Sequence, residues 1–281
     1  MGFMKYRLKC ELSYKISQYS TFLFNICPVN TDFQTVIEEH LTLDPPLNTE
    51  EYITPVLGNR YFRVNLDSGN LLLDYQATVE VSYQNINPSD ITETIPAQLP
   101  LETVPFLYPS RYCQSDRLIR LVQQEFGELQ PGYSRVEAIC NWIYDNVTYL
   151  SGSTNAQTSA YDTATERAGV CRDFAHLGIA FCRALNIPAR FVSNYACGLE
   201  PPDFHAVFEA YLGDRWYLFD PTRLVPRQAL IRIGTGRDAA DVSFATLFGT
   251  VVMERKHICV EFIEGKFPSY TTDAVMPVTK P

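Results

Sequence analysis

The 281-residue sequence contains no apolar run near the about 18–20 residues that a membrane-spanning helix requires. Its first residues, Met1-Gly2-Phe3-Met4-Lys5-Tyr6-Arg7, lack the hydrophobic centre of a signal peptide, so a soluble cytoplasmic protein without a membrane partner is expected. A basic stripe is also missing. With a formal net charge of -9 and a pI of about 5.0, the chain is not expected to bind nucleic acid. The eight cysteines (Cys10, Cys27, Cys113, Cys140, Cys171, Cys182, Cys197 and Cys259) form no CxxC pair and no tight spacing, which excludes a disulfide framework and leaves them as reduced thiols. No EF-hand loop or dense carboxylate cluster occurs, so neither an obligatory metal nor another cofactor is expected. Internal repeats and low-complexity segments are absent too. What is present is 46% hydrophobic residues, enough for one large or two modest domains.

The first third of the chain has the period of strands. Residues 5–16 alternate, with Tyr6, Leu8, Cys10, Leu12 and Tyr14 on one side and Lys5, Arg7, Lys9, Glu11 and Lys15 on the other, the pattern of a half-buried antiparallel strand. Phe22, Phe24 and Ile26 mark a second strand. Residues 60–66 and 71–83 flank the turn-rich Asp67-Ser68-Gly69-Asn70 and predict a hairpin. No helical period occurs before about residue 90, so residues 1–95 are expected to form an antiparallel β-sandwich-like domain. Pro96, Pro100, Pro105 and Pro109 punctuate a segment without periodicity, and residues 96–110 are expected to be a linker.

Helical spacing follows. Ser115 is placed as the cap of a helix ending at Gly127, and Ser134-Arg135-Val136-Glu137 as a capping box opening a helix to Val147, with Val136, Ile139, Trp142 and Ile143 on its buried stripe. Thr163-Ala164-Thr165-Glu166 repeats the capping pattern, and residues 151–159 form a small, polar loop, mobile or lining a site. After Ile187-Pro188, strands are predicted over 189–196, 205–212 and 215–220. Residues 111–267 therefore make an α+β domain, and residues 268–281 a loose tail.

Within that domain, Gly169-Val170-Cys171-Arg172-Asp173-Phe174-Ala175 stands out. Phe174, Leu177, Phe181 and Leu185 keep a helical spacing, so a core-anchored helix opens at Cys171, with Gly169 allowing a sharp turn into it. A thiol in the first turn sits beside unpaired backbone N–H groups at the positive end of the helix dipole, and both favour a thiolate. Unpaired cysteines are more often inert apolar residues, so its partners decide the matter.

The chain has four histidines. His176 lies five residues further along the same helix and points about 140° away from Cys171, which suits a surface pair with Asp173 or Arg172 and rules out a zinc site with Cys171 and Cys182. His40 and His257 have no acidic partner suggested by the sequence and are placed as structural or solvent-facing. His205 differs. Gly213-Asp214 has the chemistry of a two-residue type II′ turn between Leu212 and Arg215. That register sets His205 opposite Thr222 and Val207 opposite Asp220, so His205 and Asp220 become diagonal neighbours about 7 Å apart at Cβ. Trp216 and Leu218 share their face and can shield them from water. Cys171 as nucleophile, His205 as proton carrier and Asp220 as the carboxylate that orients the ring make a candidate triad. The N–H of Cys171 is a candidate oxyanion donor, with a polar residue of the 151–159 loop as the second.

The cysteine segment, then Asp203-Phe204-His205-Ala206, then Trp216-Tyr217-Leu218-Phe219-Asp220-Pro221-Thr222 resemble, in order, the three motifs of the transglutaminase-like superfamily. The resemblance runs from about Pro109 to Thr250 and includes Gly236-Arg237-Asp238-Ala239-Ala240-Asp241-Val242, which is similar to a segment of the bacterial branch. It implies a papain-like α+β core with Cys171, His205 and Asp220 as its triad, preceded in that branch by an N-terminal β domain. Many relatives carry Trp after the His-Ala pair; this chain has Val207, a change expected to open or reshape the site.

The superfamily includes protein cross-linkers, peptidases and amide-cleaving enzymes. The expectation here is a cysteine peptidase or amidase whose partner is a peptide or protein amide substrate, with oligomeric state left open. Protein-glutamine cross-linking, acyl transfer to a small amine and an inert binding module are the alternatives. Hydrolysis is preferred to cross-linking because the missing ring weakens the aromatic wall that keeps water from an acyl-enzyme.

Overall fold

The alternation at the start of the chain becomes a 13-residue strand in the computed structural model, which describes residues 3–278. This strand, β1 (Met4–Ile16), is followed by β2 (Ser20–Phe24), β3 (Gln34–Asp44), β4 (Glu50–Ile53), β5 (Arg60–Leu66), β6 (Gly69–Val81) and β7 (Tyr83–Ile86). The middle of the chain holds α1 (Ser115–Phe126), α2 (Tyr133–Asn146), the short β8 (Thr148–Tyr149), α3 (Ala160–Glu166), the short β9 (Ala168–Gly169) and α4 (Cys171–Ala184). Strands then return as β10 (Ala189–Ala196), β11 (Phe204–Leu212), β12 (Arg215–Phe219), β13 (Leu230–Gly236), β14 (Ala245–Phe248), β15 (Val251–Glu264) and β16 (Ala274–Pro277).

β1 lies inside a four-stranded antiparallel sheet of order β15-β1-β6-β3, and the apolar side of its alternation is buried. That side meets a second four-stranded sheet, β14-β2-β5-β4, through Phe22, Phe24, Phe62 and Val64. Tyr14 stands edge-on to Phe22 with ring centroids 5.2 Å apart. Each such side chain contributes about 1.5–3 kcal/mol by leaving water, which is why period two here specifies a sandwich.

The hairpin expected around residues 67–70 does not form, because β5 and β6 belong to different sheets and the turn carries the chain between layers. Phe62 and Val64 share one core with Leu71 and Leu73, so the two arms meet face to face. β6 takes its hydrogen bonds from β1 and β3 instead.

Two expected boundaries also move. Residues 245–264, assigned to the second domain, supply β14 and β15 to the sandwich, with β15 antiparallel to β1 from Lys5 opposite Glu264 to Ile16 opposite Val251. Conversely, β7 and β16 join the six-stranded sheet of the helical half, whose order is β13-β10-β11-β12-β16-β7. The expected tail is thus a core strand at Ala274, Val275 and Met276, all buried; residues 279–281 lie outside the described residues. Four residues are too few to display a period, and β15 draws its partner from the other end of the chain. The proline-rich segment is packed rather than free: Leu99, Thr103 and Phe106 are buried, and Phe106 lies edge-on to Trp216 at 5.4 Å.

Helix starts shift by small amounts. α1 begins at Ser115 itself and α2 at Tyr133 after Gly132 (φ 144°), so neither expected serine cap is used. The reciprocal box forms instead between Ser159 and Asp162 and caps α3, with residues 163–166 inside that helix. α4 buries Phe174, Leu177 and Phe181, and packs so closely on β11 that a Cβ at Gly178 would come within 2.5 Å of the Phe208 ring. The fold is mixed α+β: antiparallel sheets first, then helices with an antiparallel sheet.

Candidate active site

Cys171 is the first residue of α4 and is partly exposed, whereas Cys10, Cys27, Cys113, Cys140, Cys182 and Cys197 are buried. Its position is set by Asp173, a buried carboxylate whose Oδ2 accepts the Val170 N–H at 2.9 Å and closes the first turn. Oδ1 of Asp173 accepts from Thr154 Oγ1 at 3.2 Å and from Arg172 at 3.0 Å, and Arg172 also donates to the Asn155 carbonyl at 2.8 Å. The 151–159 loop is therefore tied to the helix start. Gly169 provides space rather than a sharp turn: its φ is not positive, and a Cβ there would lie 2.7 Å from that of Asp173. As the first helical residue, Cys171 has an N–H that no carbonyl of its own helix can reach.

His205 stands on β11, and Asp220 follows β12 directly. The hairpin register runs as the turn predicts, from Leu212 opposite Arg215 to Phe208 opposite Phe219. The turn itself is of the I′ kind, since Gly213 (φ 49°) and Asp214 (φ 67°) are both left-handed. Past the end of the ladder, His205 Nε2 and Asp220 Oδ2 lie 2.8 Å apart. Oδ1 of Asp220 accepts from the Thr222 N–H at 2.9 Å and the Thr222 hydroxyl at 2.7 Å. Burial pushes the Asp220 carboxyl up, but the His205 charge and these hydrogen bonds outweigh it and hold the group below its ordinary range. Burial acts on His205 in the opposite sense, downward, yet Asp220 and then Cys171 raise the imidazole to about 10. Nδ1 of His205 is buried without a hydrogen-bond partner, and with Nε2 taken by Asp220 it is the nitrogen left for the thiol.

Tyr149 is a candidate site residue that no motif marks. β8 pairs parallel to β9 with Tyr149 opposite Gly169, which sets the phenol beside both the thiol and the backbone N–H of Cys171. Burial first, then the Cys171 sulfur, push the phenol up to about 12, while the Cys171 N–H works against them. The local signal is a two-residue strand, too short to read from sequence.

His176 is not on the surface. Its ring is buried between Tyr112 and Phe191, with centroids 5.1 Å away on each side, and its Nε2 accepts the Ala239 N–H at 3.1 Å. Burial, then Arg172 and Arg183, lower it well below the usual histidine range. The ion pair proposed for it forms between Arg172 and Asp173 instead. His40 and His257 are exposed on β3 and β15. Trp216 does not shield the His205–Asp220 pair; it packs on Phe106, Tyr211 and Arg190, while Trp142 packs on Phe126, Phe181 and Arg167. Val207 is fully buried in the core shared with the sandwich, so its side chain fills the interior and opens nothing.

A cavity of about 630 Å³ lies behind the candidate triad, lined by Asp220 but by neither Cys171 nor His205. Among the described residues, no three His, Cys, Asp or Glu side chains are grouped to hold a metal ion, and no helix is long and apolar enough to cross a membrane.

The bacterial transglutaminase N-terminal domain family matches residues 4–101, and the transglutaminase-like superfamily core matches residues 120–221. A crystal structure from Cytophaga hutchinsonii, of a protein named a candidate cysteine protease, is 44% identical and superimposes with a TM-score of 0.96 over 99% of each chain. An uncharacterised protein of Mycobacterium bovis is 27% identical over 273 residues, 86% of each chain. One from Mycobacterium leprae is 30% identical over 149 residues, which cover 49% of this chain and 52% of that one.

Proposed function

Because the chain belongs to the transglutaminase-like superfamily, with a bacterial transglutaminase N-terminal domain ahead of the core, we propose that it hydrolyses peptide or protein amide bonds through Cys171, His205 and Asp220. The observation that carries this reading is the 2.8 Å contact from His205 Nε2 to Asp220, which leaves Nδ1 of a proton-holding ring for the thiol. Asp220 sets the tautomer and supports the positive charge. The Cys171 sulfur attacks the amide carbonyl carbon; as the tetrahedral intermediate collapses, the C–N bond breaks and the leaving amine takes the proton from His205 Nδ1. Water then attacks the thioester and gives its proton to Nδ1, and the C–S bond breaks to release a carboxylic acid. In both halves the Cys171 N–H and the Tyr149 hydroxyl donate to the oxyanion.

Hydrolysis is favoured over amine transfer by what surrounds the sulfur. Tyr149, the ring beside it, is 45% exposed and leaves the thiol open to water. Water at ~55 M outcompetes a dilute amine at an unshielded acyl-enzyme. The name of the Cytophaga hutchinsonii relative agrees with proteolysis. Incubation with glutamine-containing peptides and a labelled primary amine tests the reading: hydrolysis is expected to exceed amine incorporation at millimolar amine. The reverse ratio overturns it in favour of cross-linking, and the absence of both products across a broad peptide library overturns it in favour of a binding module.

A further inference from the structure

The cavity behind Asp220 has three walls. One face of α2 supplies Tyr133, Glu137 and Asn141, the segment after Asp220 supplies Arg223 and Arg227, and the crossing into β16 closes the third side. Its volume of about 630 Å³ falls within the range of small-molecule sites.

The charges on these walls are not balanced. Arg227 donates to the Tyr133 hydroxyl at 2.8 Å and to the carbonyls of Leu218, Thr271 and Asp273 at 3.0, 2.9 and 2.7 Å, all neutral acceptors. Arg223 donates to the Asn141 side-chain oxygen and lies over the Tyr144 ring at 4.2 Å, again neutral partners. Asp220 does not offset them, since its charge is committed to His205. Arg223 also has a left-handed backbone (φ 56°), a conformation that an L side chain adopts at a cost, and its guanidinium lies against α2 at the cavity wall. With one N–H spent on Asn141, the guanidinium keeps free donors for a carboxylate. Glu137 is the remaining acid of the lining.

We propose that this cavity binds a small zwitterion, an amino acid or dipeptide with free ends, whose carboxylate pairs with Arg223 and whose ammonium pairs with Glu137. The site is separate from the thiol. Calorimetric titration of the full-length Cys171→Ala protein with L-alanyl-L-phenylalanine is the test, because this variant cannot turn over and failure to bind then counts against the cavity and not against the hydrolytic reading. One binding site is expected, with affinity reduced about tenfold or more for the C-terminal amide and for Arg223→Gln, and reduced for the N-acetylated dipeptide. An unchanged melting temperature for the exposed Arg223→Gln variant separates lost binding from lost fold. Absence of binding at millimolar dipeptide, equal affinity for the amide, or full affinity in Arg223→Gln would overturn the proposal.

Discussion

The surroundings of His205 and those of His176 both exclude water from an imidazole and leave it in opposite states. At His176 the walls are the rings of Tyr112 and Phe191, the nearest charges are those of Arg172 and Arg183, and the ring is held far below its usual range. At His205 burial has the same direction, but a carboxylate 2.8 Å away reverses the outcome and carries the imidazole to about 10. Burial alone removes a proton from histidine, whereas burial beside a carboxylate retains it. Only the second environment can keep a proton for a leaving amine.

Asp220→Asn is the substitution that strains this contrast most, because it takes the carboxylate from one environment and leaves the other untouched. Asparagine favours the wrong tautomer of His205, and kcat/KM is expected to fall about 10³–10⁴-fold with the circular dichroism spectrum retained. The pH dependence of stability follows from the same pair. His205 is raised by folding, so its contribution is fully present below the ordinary histidine value of 6.5 and is lost as pH rises through about 10. Asp220 is lowered by folding, so its contribution is present above the ordinary value of 3.8 and is lost as pH falls below it. The gap in melting temperature between wild type and Asp220→Asn should be widest between those two ordinary values. A gap that does not vary with pH would remove the charge from the His205 environment.

Tyr149→Phe sharpens the comparison at a second point by deleting one hydroxyl beside Cys171. A single oxyanion donor is worth about 10²–10³ in kcat, and a half-exposed phenol belongs at the lower end, so a fall of about 10² with little change in KM is expected from steady-state kinetics. An unchanged kcat would take Tyr149 out of the site. The smallest effect on rate belongs to His176→Ala, which should leave kcat of the folded enzyme within about twofold while costing about 2–4 kcal/mol in urea denaturation, as the loss of a buried ring does. A loss of kcat matching that of Asp220→Asn would mean that the two environments are not distinct.

The positions of Cys171, His205 and Asp220, the candidate triad, were legible because each sits in a local arrangement that can be counted. Phe174, Leu177 and Phe181 define the face of α4 from which the position of Cys171 follows, and the Leu212–Arg215 turn carries the register as far as Phe208 opposite Phe219. His176 was misplaced for a physical reason. A helical stripe presumes one wet side, but α4 is enclosed, and its polar residues Asp173, His176 and Arg183 are buried with the apolar ones. Trp216 was misjudged in the same way, since a position on a strand face does not say which layer covers that face, and Val207, read from the ring that relatives carry there, proved to face the core shared with the sandwich.

From the sequence alone came the half-buried alternation of β1, the core stripe of α4 and the reach of His205 to Asp220, because periods of 3.6 and 2 residues and a two-residue turn are properties of neighbouring residues. Only the tertiary structure decided that β15 would return to pair with β1, that β16 would complete the sheet of the helical half, that Tyr149 would stand beside Cys171 and that two arginines would share a cavity with Glu137. Those contacts join segments far apart in the chain, and which of them form depends on the competition among all buried surfaces and unpaired strand edges at once.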